Sequence, residues 1–183
     1  MRENKQDNKQ LVRKGIYILP NLFTTASIFT GFMAIIWAAK GTAVGAMGGD
    51  AQSWFEWSAM AILFSAVMDG LDGKVARLTG TSSEFGVQYD SLADLVAFGV
   101  APGFMVYAWM INVFGRTGAA IAFLFATCGA LRLARFNVAA ASGASKKFFI
   151  GLPIPAAGCT LASLVFFTPY LPDFISPVVP GFC

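Results

Sequence analysis

Long apolar runs separated by short polar or glycine-rich breaks dominate the chain. Residues 1–15 are polar, with five cations (Arg2, Lys5, Lys9, Arg13, Lys14) against two acids, Glu3 and Asp7. The apolar run from Ile16 to Ala39 exceeds the roughly 20 residues that cross a bilayer as a helix. It is too long for a signal-peptide core and has no obvious cleavage site after it, so it reads as a retained first span. Gly41 to Ser53 is a Gly/Ala-rich external loop, and Trp54 and Trp57 sit where an interfacial aromatic belt is expected. The pattern then predicts a second helix from residue 54 to Leu78, a turn over Thr79–Glu84 and a third helix from Phe85 to Met110. A fourth follows from Gly118 to Val138, and a fifth from Phe149 to Phe167 with Pro153 and Pro155 near its start.

Charge gives these spans a direction. Cytoplasmic flanks carry an excess of Lys and Arg, so the basic segment 1–15 is expected in the cytoplasm, resting on anionic headgroups or solvated as a tail. Lys40 and Arg116 are then the only cations outside, while Lys146 and Lys147 close an inner loop over 139–149. The tail from Pro169 to Cys183 holds four of the eight prolines in 15 residues. Such a segment cannot cross a bilayer as a helix. Either the protein ends outside after five spans or the chain is cut early in a sixth; the second is expected.

Composition agrees. Of 183 residues, 56% are hydrophobic and only 13% charged, about half the charge of a soluble domain. Mean hydropathy is +0.64. Disorder, coiled coil and nucleic-acid binding are poorly supported, and the fold class expected is an all-α integral membrane protein, a polytopic helical bundle with one domain over residues 16–168. The absence of histidine removes Ser-His-Asp triads, His-ligated zinc and imidazole bases. Cys128, Cys159 and Cys183 are far apart and form no metal-type pair.

Four of the ten acids fall together. Asp69 and Asp72 stand near the end of the second helix, and Asp90 and Asp94 near the start of the third. Spacings of i, i+3 and i, i+4 put each pair on one helix face. An antiparallel hairpin can bring the two faces together at the cytoplasmic end. Charged groups in a span are costly and are functional candidates by default. Converging carboxylates repel one another, which protonation or a divalent cation relieves. An all-oxygen site suits Mg²⁺, Mn²⁺ or Ca²⁺, and two ions about 4 Å apart form a clamp for a phosphoryl centre. The alternative is helix–helix glue, or pairing with Lys74 and Arg77. The neighbouring Gly70, Gly73, Ala76 and Gly86 allow close helix packing or the approach of a phosphorylated ligand. A cation channel or carrier would need polar residues continuing across the bilayer, and Leu95-Val-Ala-Phe-Gly-Val100 offers none.

The string Asp69-Gly-Leu-Asp72-Gly73-Lys-Val-Ala76-Arg77, eight further residues, then Gly86-Val-Gln-Tyr-Asp90-Ser-Leu-Ala-Asp94 resembles the signature D-x-x-D-G-x-x-A-R-x8-G-x-x-x-D-x-x-x-D of the CDP-alcohol phosphotransferase family. Every fixed position matches. Leu19-Pro-Asn-Leu-Phe-Thr24, Ser91 to Pro102, Ala130-Leu-Arg-Leu-Ala-Arg-Phe-Asn137 and Gly151-Leu-Pro-Ile-Pro-Ala156 resemble its phosphatidylserine synthase branch. The resemblance covers residues 15–168. It implies a six-helix core, of which about five helices are visible here, in a homodimer with active sites opening to the cytoplasm from the inner or plasma membrane.

The resemblance further implies transfer of phosphatidyl from CDP-diacylglycerol to L-serine with release of CMP. Asp69, Asp72, Asp90 and Asp94 would hold two metal ions on the pyrophosphate. Asp94 would be the general base for the serine hydroxyl; metal-bound carboxylates are weak bases, so its proton transfer falls late along the path. Gly73, Ala76 and Gly86 would let the nucleotide approach, and Arg77 would offer a fork to pyrophosphate oxygens. Asn21 and Ser83 are further CDP-diacylglycerol candidates, or simply a helix-end and a turn residue. Arg132 and Arg135, one face at i, i+3, with Asn137 just beyond, are candidates for the serine carboxylate, or else snorkel to headgroups. Glycerol 3-phosphate or inositol are the alternative acceptors; only the branch resemblance favours serine.

Overall fold

The computed structural model describes residues 3–79, 84–141 and 151–167, with side chains from Asn21 onward except those of residues 76–79, 140 and 141. Among these residues the structure is helical, with no strand. Helix α1 runs over Glu3–Ala46, α2 over Gln52–Thr79 and α3 over Glu84–Asp94. A π-helical turn, Leu95–Val100, joins α3 to α4, Ala101–Trp109. A 3₁₀ turn at Ile111–Phe114 leads to α5, Arg116–Ala141, and α6 spans Ile154–Phe167.

The first helix is longer than the apolar pattern predicts at both ends. Helix-forming Glu, Lys, Gln and Leu fill much of residues 3–15, and the helix carries on through Gly41 to Ala46. At Gly41 an added Cβ would lie 3.1 Å from the Phe55 ring, so the residue expected to open a loop is instead a close helix–helix contact. The chain turns at Met47–Asp50, with Gly48 at φ 76°. Asp50 then starts α2: its carboxylate accepts the Gln52 N–H at 3.0 Å and the Ser53 hydroxyl at 2.6 Å. The Ser53 bond holds the Asp50 carboxyl below its ordinary range.

Among the described residues, three segments are long and apolar enough to cross a membrane: Asn21–Ala46, Glu84–Trp109 and Arg116–Ala139. The predicted fifth helix is a shorter apolar one, Ile154–Phe167, because Pro153 and the turn at Gly151 (φ 93°) precede it. Helix α2 has the length to span, at 28 residues, but Glu56, Asp69, Asp72 and Lys74 reduce its apolar character. The Ser83 turn, the Lys146–Lys147 loop and the Pro-rich tail lie outside the described residues.

Helices α1 and α2 pack along each other most extensively, and α1 also meets α3, the π turn and α4. Ala34, Ala38, Ala59, Ile62, Phe98 and Met105 are buried where these helices meet. Small side chains dominate because lipid is as apolar as the protein, so helices associate through close contact and hydrogen bonds. A Cβ on Gly31 would come within 2.8 Å of the Ala97 Cα, and one on Gly158 within 2.8 Å of the Phe98 carbonyl. Hydroxyls supply the polar part of the α1–α2 seam: Ser58 donates to the Ala34 carbonyl at 2.8 Å, Ser65 to that of Ser27 at 3.2 Å, and Thr30 and Ser65 pair directly.

The π turn was not legible as such in the apolar string that forms it. Its wide hydrogen bond, Ala101 N–H to Val96 O, adds a residue to one turn directly after Asp94. Ala97, Phe98 and Gly99 are thereby buried against α1 and α6. Apolar packing closes the region immediately beyond Asp94.

Candidate metal centre at the acidic end of the bundle

The four aspartates arise from two helices. Asp69 and Asp72 lie in the C-terminal half of α2, and Asp90 and Asp94 in the C-terminal half of α3. Carboxylate oxygens of Asp69, Asp72 and Asp90 all lie within 4.8 Å of one another. Asp94 hydrogen-bonds with Asp69 of α2, and Asp90 of its own helix and Asp72 of α2 are further charged neighbours. The helix spacings therefore converge as expected, with three oxygens in one cluster and the fourth acid beside it.

Asp72 is the most enclosed of the four, at 5% exposure. Its Oδ2 accepts the Thr24 hydroxyl of α1 at 2.9 Å. Asp94 Oδ1 is buried and has no hydrogen-bond partner. A buried carboxylate oxygen without a donor is costly, and a cation is the partner that an all-carboxylate setting most needs. Hard oxygen donors from two helices, one of them orphaned, fit Mg²⁺ or Mn²⁺ better than a soft metal.

The other predicted residues fall around this cluster unevenly. Gly73 follows Asp72 on α2 and is half-buried, as is Gly86 in the first turn of α3. Ala76 and Arg77 lie in the last turns of α2, their side chains outside the described ones, and Ser83 is not described. Asn21 is half-buried at the start of the first span, its carbonyl accepting the Thr25 hydroxyl at 2.7 Å. Arg132 donates from Nη2 to the Gly151 carbonyl at 3.3 Å, and Arg135 is exposed. Asn137 crosses to α3, donating to Ser91 Oγ at 3.0 Å and Gln88 Oε1 at 3.5 Å.

Sequence reasoning missed Thr24, and also Tyr89, whose hydroxyl lies 2.9 Å from Thr25 Oγ1. Thr25 spends its one proton on the Asn21 carbonyl, so Tyr89 donates. Thr24 and Asp72 are 48 residues apart, and no spacing rule links them; only the packing of α1 against α2 does.

The fold and site thus define an all-α integral membrane protein with a carboxylate centre between two helices. Residues 17–180 match the family described as CDP-alcohol phosphatidyltransferase, and the chain belongs to it. This family is divalent-metal dependent, in keeping with the aspartate cluster. The chain is 48% identical over 142 residues to a CDP-diacylglycerol–serine O-phosphatidyltransferase of Helicobacter pylori, a match covering 78% of this chain and 54% of that protein. It is 50% identical over 101 residues to a protein of the same name from Methanocaldococcus jannaschii, covering 55% and 46%. An archaetidylserine synthase of Methanothermobacter thermautotrophicus is 34% identical over 166 residues, covering 90% and 62%. The chain spans about half the length of the Helicobacter pylori relatives it matches.

Proposed function

We propose that this protein transfers the phosphatidyl group of CDP-diacylglycerol to the hydroxyl of L-serine, releasing CMP and forming phosphatidylserine. The observation that carries the chemistry is the cluster of Asp69, Asp72 and Asp90 oxygens within 4.8 Å across two helices, with the orphaned Asp94 Oδ1 beside it. The acceptor is supported by the relatives described above, whose names specify serine as a substrate or archaetidylserine as a product.

In this reading Asp69, Asp72, Asp90 and Asp94 hold two divalent ions, Mg²⁺ or Mn²⁺, which when bound neutralise the pyrophosphate and the charge that builds up at phosphorus. Asp94 accepts the serine hydroxyl proton as the serine oxygen bonds to the phosphorus that carries diacylglycerol. The bond from that phosphorus to the CMP oxygen breaks in line with the attack. Gly73, Ala76 and Gly86 leave room for the nucleotide, and Arg77 forks to the pyrophosphate, with Asn21 and Ser83 as further contacts. Arg132 and Arg135 face the serine carboxylate and Asn137 borders it, held against Ser91. The basic segment 1–15 supports a cytoplasmic N-terminus and a site opening to the cytoplasm, and we infer a homodimer.

The test is CMP release from CDP-diacylglycerol in detergent with Mn²⁺, offering serine, glycerol 3-phosphate and inositol separately. Release with serine alone is expected. Release with another alcohol instead overturns the serine pocket and keeps the transfer chemistry.

A further inference from the structure

Helix α1 carries none of the four acids, yet it touches both helices that do. Thr24 is buried at 4% exposure, and its hydroxyl donates to Asp72 Oδ2 across the α1–α2 seam at 2.9 Å. The next residue, Thr25, accepts from Tyr89, the neighbour of Asp90 on α3. Two consecutive residues of one helix therefore hold both sides of the acidic hairpin.

We propose that Thr24 is a positioning residue for the metal centre, fixing the Asp72 carboxylate in the orientation that binds a divalent cation. An ionised carboxylate only accepts hydrogen bonds, so a buried hydroxyl aimed at Oδ2 restricts how the group can turn. The Gly73 backbone N–H also reaches this carboxylate; losing the Thr24 hydroxyl leaves that donor alone to hold the group against the like charges of Asp69 and Asp90. Ligating carboxylates are typically held in this way by neighbouring donors, and loss of the donor weakens metal binding ten- to hundredfold. The threonine also suits the task sterically, since its branched side chain has few rotamers in a helix. The inference rests on the metal-binding reading of the four aspartates.

Binding of Mn²⁺ alone to this chain in detergent, followed by the paramagnetic resonance signal of the free ion, separates the two. Thr24→Val keeps the shape and removes the hydroxyl; Thr24→Ala replaces it where the valine variant is not monodisperse. Either is expected to weaken Mn²⁺ binding ten- to hundredfold, and Thr24→Ser to restore it to near the unsubstituted level. Ser58→Ala is the control, removing a buried hydroxyl from the same seam at the Ala34 carbonyl, and should leave Mn²⁺ binding unchanged. Unchanged affinity in Thr24→Val and Thr24→Ala, or an equal loss in Ser58→Ala, overturns the positioning role while the metal centre stands. Absence of Mn²⁺ binding by the unsubstituted chain overturns the metal reading itself, and this inference with it.

Discussion

Among the acids, Asp94 combines burial, hydrogen bonding to Asp69 and an oxygen with no protein partner. A group so placed is available both to a cation and to the proton of an incoming hydroxyl. Asp94→Asn keeps the size and the packing but cannot take that proton. It is expected to lower serine-dependent CMP release by about a hundredfold to ten-thousandfold, the usual contribution of a general base, with the helical circular dichroism unchanged. Turnover near that of the unsubstituted chain would remove Asp94 from the chemistry. Thr24 shows the limit of reading residues from sequence. It closes the Leu19–Thr24 string that resembles the family branch, yet nothing in that string says which of ten acids it meets. Asn137 is similar: a place beside the arginines was legible, and its bond to Ser91 on α3 was not.

At the scale of elements, the glycines at contact points decide how closely the helices approach. Gly158 on α6 packs onto the backbone of Phe98 in the π turn, four residues after Asp94. A methyl group there meets main-chain atoms at 2.8 to 2.9 Å, which cannot rotate aside. Gly158→Ala is therefore expected to destabilise the bundle by about 1–3 kcal/mol through overpacking, read as a lower thermal midpoint in detergent. Gly70→Ala, where an added Cβ meets nothing within 4 Å, should leave the midpoint unchanged or slightly higher. A midpoint that falls equally in both would show that close contact is not what sets Gly158 apart, since helix propensity alone would raise it at either position. The apolar runs foretold the helices because a bilayer span requires them; their ends shifted because Gly41 packs on a ring and Pro153 delays α6. The π turn needed the tertiary contacts of Ala97 and Phe98 and leaves no periodic trace in six apolar residues.

At the scale of the whole molecule, the acidic end gathers like charges where few donors are available, and the apolar core lies beyond it. A cation bound there should stabilise the folded bundle as well as enable transfer. Saturating Mn²⁺, at about 100 times the dissociation constant, is expected to raise the folding stability by about 2.7 kcal/mol, read as a higher thermal midpoint. EDTA should remove that rise and silence CMP release, and added Mg²⁺ or Mn²⁺ should restore both. Activity and midpoint indifferent to chelation would defeat the metal centre.

The sequence by itself determined the membrane class, the positions of the main helices and the identity of the four aspartates. Apolar length and fixed spacing along one helix are local properties, and they survive whatever the helices pack against. Tertiary structure alone decided that Asp69, Asp72 and Asp90 share one cluster, that Asp94 keeps an unpartnered oxygen, and that α1 reaches both acid-bearing helices through Thr24 and Thr25. Those facts depend on the rotation and distance of helices distant in sequence. Glycine contacts and buried hydroxyls fix that rotation and distance, and their partners become visible only when the helices are together.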